Sequence, residues 1–319
     1  MLQAFGKNGH GLIRLDVGAS LDAALWIDLL HPTEDEVARV ARFGLAVPTL
    51  SEMEEIEISN RLYREDGADY LTVVLPGLTD SATPITGPVT FMLMPGRLVT
   101  VRHHTPRPFD TYPTRADKAT SGCASSERVF LGLTEEIVAR LADILEGVGH
   151  ALDRVTRDVF GGGAAQKPEM LQQALEQTGR QGDLLGRVRL CLLTLERALS
   201  YFGQTLAARH EGEALGAVVK GQMRDMQALE VHADFLSSRV GLAVDATLGM
   251  VNLAQNVTVR IVSVVAVLFL PPTLIASIYG MNFAHMPELA DPWGYPIALA
   301  LMVASAVGTY FFFKWRHWL

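Results

Sequence analysis

The chain has little that would make it a secreted scaffold, a nucleic-acid binder or an enzyme. Two cysteines in 319 residues, Cys123 and Cys191, are too few for a disulfide framework, and both are expected to be reduced. A net charge of −8 argues against nucleic acid as a partner, because binding a phosphate backbone needs a basic face. The opening Met1-Leu2-Gln3-Ala4-Phe5 lacks the basic-then-apolar order of a secretory signal, so the body of the chain is expected in the cytosol. No phosphate-cradling glycine loop, His-Glu-x-x-His helix or nucleophile–base motif occurs, so no enzymatic activity is expected. His103 and His104 are adjacent. On a strand they point to opposite faces, which speaks against a shared metal.

What the chain does have is apolar length at its far end. Hydrophobic residues make up 49% of the sequence, and the excess falls after Val257. Ile261 to Ile278 and Trp293 to Phe313 are two uncharged apolar stretches. Each is long enough, at ~1.5 Å per residue, to cross ~30 Å of hydrocarbon, the first if it begins near Val257 and includes Arg260. Between them lies Tyr279-Gly280-Met281-Asn282-Phe283 and a loop with Glu288 and Asp291 but no Lys or Arg. Arg260 precedes the first span, and Lys314-Trp315-Arg316-His317-Trp318-Leu319 follows the second. Positive charge marks the cytoplasmic side, so both termini are expected inside and the Gly-Met-Asn loop outside. Trp293, Tyr295, Trp315 and Trp318 suit interfacial aromatic belts.

Upstream, residues 1–125 read as a cytosolic α/β domain. Ala24 to Leu30 is a strand, Thr33 caps a helix opening on Glu34-Asp35-Glu36, and Tyr70 to Leu75 is a buried strand. Val89–Met94 and Leu98–Arg102 form a hairpin across Pro95-Gly96. Acidic Glu52 to Glu57 reads as a solvated face. Residues 126–210 read as an antiparallel helical hairpin, from Ser126 to Phe160 and from about Pro168 to Ala208, broken at Gly161-Gly162-Gly163. Residues 211–279 form a long stalk helix continuing into the first span. Its apolar stripe runs through Leu215, Val219, Met223, Met226, Leu229, Ala233, Leu236, Val240, Val244, Leu248 and Val251 at helical spacing. Residues 280–292 make the external loop, 293–313 the second span and 314–319 a basic cytoplasmic tail. A helix of that length cannot bury its stripe alone, so association of copies is expected.

Two spans per subunit cannot enclose an ion path, but a ring of copies lending the first span can. Asp245, Asn252, Asn256, Ser263, Leu270, Thr273 and Ser277 step by 7, 4, 7, 7, 3 and 4, which holds one helical face. Polar groups within a membrane tend to face a bundle interior or water; the alternative for Ser263 and Ser277 is a bond back to their own helix. Arg260 lies about 40° from Asn256 and is expected to snorkel to the headgroups. Pro271-Pro272 removes helix donors and frees a carbonyl near Val267 or Leu268. Gly280 permits a tight turn, and Asn282 offers an amide oxygen at the external mouth. A neutral amide ring suits Mg²⁺, which parts with its waters reluctantly. Glu288 and Asp291 add local negative potential that concentrates cations.

Phe269 to Phe283, with Met286-Pro287-Glu288-Leu289, Gly294-Tyr295-Pro296 and the Phe313-Lys314 … Trp318-Leu319 ending, resembles the CorA family of magnesium channels. Met53-Glu54-Glu55-Ile56-Glu57 and Ala139 to Asp143 are also similar, so the resemblance spans the chain, more loosely toward its start. It implies a funnel-shaped homopentamer in a bacterial inner membrane, with five stalk helices lining the pore and hydrated Mg²⁺ held at Gly280, Met281 and Asn282. It also implies an inner gate of Asn256, Val259, Val262, Leu270 and Thr273 above an acidic ring at Asp245. Regulatory Mg²⁺ between neighbouring cytosolic domains carries over to Asp80 and Asp225, the nearest acidic positions; Gly221 stands where some relatives have aspartate. Divalent-cation influx follows, of Mg²⁺ and of Co²⁺ or Ni²⁺. The alternatives are a proton-coupled zinc or other divalent-metal transporter of the same superfamily, whose zinc carriers usually vary the Gly-Met-Asn turn, and a membrane-tethered sensor or enzyme, whose anchor needs no polar stripe.

Overall fold

The computed structural model describes residues 1–319 except 10, 17, 19, 80, 162–167, 207–211, 282–291 and 317–319. Among the described residues a seven-stranded sheet runs in the order β2-β1-β3-β7-β6-β5-β4. Its strands are β1 Leu2–Asn8, β2 Gly11–Arg14, β3 Trp26–Leu30, β4 Leu62–Glu65, β5 Ala68–Leu78, β6 Pro84–Met94 and β7 Arg97–Arg102. Only β3 and β7 pair in parallel; the other neighbours are antiparallel. The hairpin expected across Pro95-Gly96 is the β6–β7 pair, turning where Gly96 takes a φ of 78°, a value glycine reaches without a Cβ clash. β1, β2 and β4 were not anticipated. Two of them, β2 and β4, are four-residue edge strands with exposed polar ends.

Alternation along the strands sorts residues to two faces. On one, Ile27, Leu29, Tyr70, Met92, Val99 and Val101 pack with Val40 and Met53, which belong to the short helices α1 Glu34–Ala41 and α2 Leu50–Glu54. Thr33 and Thr49 each close a capping box with the glutamate three residues on, Glu36 and Glu52, which satisfies helix amides that would otherwise lack partners. The other face packs against α4 Pro108–Arg115, α5 Ser126–Gly161, α6 Pro168–Thr205 and the first part of α7 Gly212–Tyr279. A further, four-residue helix is α3 Ile58–Arg61.

The described chain divides into two compact units. The first is Met1–Val155 with Gln177–Ala243, and the second is Thr156–Glu176 with Val244–Leu319. In the first unit the expected apolar stripe of α7 is buried at Leu215, Val219, Met226, Ala233 and Leu236. Gln222 ties α7 to α5: its amide donates to the Leu131 carbonyl at 2.8 Å, and its oxygen meets the Thr134 hydroxyl at 2.7 Å. Further along, the stripe is only partly covered: Val244 and Val251 are half-buried and Leu248 is 45% exposed.

The second unit holds the remainder of α7 and α8 Gly294–Trp315. Among the described residues these are the two helices long and apolar enough to cross a membrane. Their apolar side chains are largely exposed, Phe269, Leu270 and Val303 each above 60%.

Candidate functional site

The expected polar stripe lies on α7 from Asp245 to Ser277. Asp245, Asn252, Asn256, Val259, Val262, Ser263, Leu270, Thr273 and Ser277 are all exposed. From Val264 to Tyr279 the sheltered positions are Val264, Leu268, Pro271, Pro272, Ile275 and Tyr279, and nearer Asp245 they are Ala246, Thr247, Met250, Val251 and Ala254. At ~100° per residue the six from Val264 onward occupy an arc of about 100°, the five nearer Asp245 widen it to about 160°, and the stripe is centred about 170° round the helix from it. The stripe is therefore exposed over its whole length. Arg260 is exposed as well and falls between the two arcs, about 40° beyond Asn256.

Two hydroxyls of the stripe are engaged locally. Ser263 donates to the Val259 carbonyl at 2.7 Å and Thr273 to the Phe269 carbonyl at 2.6 Å. This is the back-bonding weighed above for Ser263. Each hydroxyl oxygen keeps its acceptor lone pairs toward the exposed side. Helix α7 continues through Pro271-Pro272 without interruption. The missing amides are those that would reach Val267 and Leu268.

Gly280 and Met281 close the helix: the Gly280 amide donates to the Ala276 carbonyl at 2.9 Å and the Met281 amide to the Ile278 carbonyl at 3.3 Å. Asn282, Glu288 and Asp291 lie outside the described residues, as does Asp80. Asp225 is exposed on α7. Of the expected interfacial aromatics, Trp293, Tyr295 and Trp315 are 70–76% exposed; Trp318 lies outside the described residues.

Elsewhere, among the described residues, no group of three or more His, Cys, Asp or Glu side chains could hold a metal ion. His104 is buried, its Nε2 2.9 Å from the Leu75 carbonyl. Burial pushes its pKa down to about 4. His103 instead meets His31 edge-on, ring centroids 5.4 Å apart, and burial lowers it too. An open groove of about 680 Å³ is lined by Glu52, Glu55, Asn60, Tyr63, Arg64 and Glu65 among others; none of the expected site residues borders it.

Sequence reasoning missed a buried ion pair of the sheet. Arg102 reaches Asp28 at 2.8 Å, and both side chains are 3% exposed. Thr100 donates to the same carboxylate at 2.7 Å, and Trp26 donates to Thr100 at 3.0 Å. The pair bridges β3 and β7, whose parallel register places Asp28 beside Thr100. A charged residue inside each apolar strand pattern was the available signal.

A family model described as "CorA-like Mg2+ transporter protein" matches residues 22–315. The chain is 33% identical to "Magnesium transport protein CorA" of Pasteurella multocida (strain Pm70) and 36% identical to the protein of that name in Yersinia pestis, over 100% of both chains in each case. Its fold is that of the solved "complete structure of CorA magnesium transporter from Methanocaldococcus jannaschii", with a TM-score of 0.70 at 18% identity, covering 100% of this chain and 99% of that one. With relatives above 30% identity from end to end and a family match over nearly all its residues, this chain belongs to the CorA-like Mg2+ transporter family.

Proposed function

We propose that this chain is the subunit of a homo-oligomeric channel, a pentamer by its resemblance, that passes Mg²⁺ into the cell across a bacterial inner membrane. The observation that carries the reading is the exposed stripe of α7 from Asp245 to Ser277, turned away from the sheltered face and ending at Gly280-Met281. A single helix gains nothing by exposing asparagines within hydrocarbon; a ring of such helices hides them in a water-filled conduit. The names of full-length relatives supply the ion.

In this reading Asn282 forms the outer ring with Gly280 and Met281. Amide oxygens hold a hydrated dication by its waters, and attraction without dehydration lets it leave again. Glu288 and Asp291 raise the cation concentration outside the ring. Below it, Leu270, Val262 and Val259 narrow the path with apolar side chains. Thr273, Ser277, Ser263, Asn256 and Asn252 supply oxygens, and Asp245 closes the membrane section with a carboxylate ring. The membrane potential drives entry, by ~2.3 kcal/mol per elementary charge per 100 mV. Both termini are cytoplasmic. Cytosolic Mg²⁺ closes the pore through carboxylates among which Asp225 and Asp80 are the candidates, and Co²⁺ and Ni²⁺ share the path.

The test is Mg²⁺ flux into liposomes holding the full-length protein. Wild-type protein conducts. Asn282→Ala is expected to cut Mg²⁺ flux at least tenfold or to abolish discrimination against other dications. Flux that Asn282→Ala leaves unaltered removes the filter assignment. Zn²⁺ uptake that requires a proton gradient supports the proton-coupled transporter instead.

A further inference from the structure

On the cytosolic part of α7, three large apolar side chains face away from the fold. Val231 is 71% exposed, Phe235 57% and Leu242 70%. Their neighbours on the opposite side, Met226, Ala233 and Leu236, are 0–1% exposed. At ~100° per residue Val231, Phe235, Ser238 and Leu242 share an arc of about 60°, centred about 170° from the buried face. No charged residue interrupts that arc. Phe235 is steadied by its own helix: His232 stacks at 6.2 Å between ring centroids, and the Arg239 guanidinium lies 6.0 Å from the ring. The Arg239 charge is itself matched by Asp153 on α5, at 2.6 Å.

These residues belong to a longer pattern. Val231, Phe235, Ser238, Leu242, Asp245, Gly249, Asn252, Asn256, Val259, Ser263, Ala266, Leu270, Thr273 and Ser277 alternate in steps of four and three without a break. Every one of them is exposed. A strict 3.5-residue repeat is the signature of helices wound about one another with that seam inward. The repeat begins well before the membrane segment, so the same seam that carries the proposed conduit carries Val231, Phe235 and Leu242.

We propose that these three residues form an apolar constriction in the cytosolic section of the conduit, with second copies of this chain as the occupants of the face and Phe235 as its narrowest ring. The inference rests on the channel reading above and extends it. Rings of apolar side chains gate ions by excluding water, and a dication that keeps its hydration shell is the ion most impeded by a dry passage. Ser238 is the only polar member of the section, and the carboxylate at Asp245 lies just beyond Leu242 on the seam. Ions leaving the membrane section thus meet a second barrier before the cytosol.

The experiment uses the full-length protein in liposomes with two readouts. The first is Mg²⁺ flux in Phe235→Ser and, in parallel, Val231→Ser. The second is oxidative cross-linking of Phe235→Cys against Ser237→Cys, an exposed position about 200° round the helix from Phe235; the native Cys123 and Cys191 are buried and give little background. We expect a several-fold rise in flux in both serine variants, and subunit-to-subunit cross-links with Phe235→Cys but not Ser237→Cys. Unchanged flux in both serine variants, or no cross-link through Phe235→Cys, overturns the constriction. If Asn282→Ala still alters flux in that case, the channel reading stands alone. If Asn282→Ala is also silent, the failure lies with the channel reading itself.

Discussion

At the scale of single residues, His104 ties stability to acidity. Its ring fills a cradle of glycines: a Cβ on Gly77 would come 2.6 Å from the His104 Cδ2, and one on Gly87 3.1 Å from Nδ1. With the Nε2 proton directed at the Leu75 carbonyl, the neutral ring is the form that fits. The folded pKa of about 4 lies below the ordinary 6.5, so the unfolded chain binds a proton that the folded one refuses. Stability from this group is complete above pH ~6.5 and falls as pH drops toward ~4, by up to ~3 kcal/mol. Thermal unfolding measured between pH 7 and pH 4.5 is expected to show a falling midpoint, and His104→Asn a flatter dependence over that window. An equal slope in the two proteins would assign the acid sensitivity to other groups. Little of this was legible beforehand. The sequence showed that His103 and His104 diverge, but the close approach of Gly77 and Gly87 comes from the pairing of β5 with β6, which is long-range information. The Asp28–Arg102 pair was hidden for the same reason: its partners are 74 residues apart.

At the scale of elements, length decided what could be read. Helices α5, α6 and α7 run for 36, 38 and 68 residues, so their periodicity outweighs local noise. The expected Ser126 and Pro168 are the first residues of α5 and α6. The four-residue strands β2 and β4 offer too few alternations to register, and α4 was missed because Pro108 and Pro113 read as breakers. The polar stripe of α7 was legible because Asn within an apolar run is conspicuous; the apolar Val231–Leu242 section was not, because an apolar side chain on an amphipathic helix is assumed to face the core. What joins α5 to α7 is partly polar. Gln222, buried between them, makes both of its bonds to α5. Gln222→Ala leaves the Leu131 carbonyl and Thr134 hydroxyl to find other partners, at ~1–3 kcal/mol. We expect a lower unfolding midpoint in urea, with faster hydrogen exchange along α5 and α7. Gln222→Glu is expected to do worse, since it exchanges the amide donor for a charge that burial disfavours. A midpoint unmoved by either change would mean that apolar packing alone sets this helix contact.

At the scale of the molecule, the feature with the widest reach is that α7 runs from Gly212 to Tyr279 as one helix. Its first 32 residues belong to the unit that contains the sheet, and the remainder to the unit that contains α8. Within α7 no proline precedes Pro271. An uninterrupted helix keeps its own phase, so the angular positions of its later side chains follow from the number of residues before them. Adding one alanine after Ala246 turns all later residues by ~100° and swings the asparagines toward lipid or toward α8, whereas adding seven turns them by only ~20° while lengthening the rod by ~10 Å. Circular dichroism should report a folded protein in both cases. Liposome flux should vanish with one added residue and return in part with seven. Such a chain tolerates a change of length far better than a change of angle, and its evolution in this stretch is constrained to gain or lose residues by whole heptads.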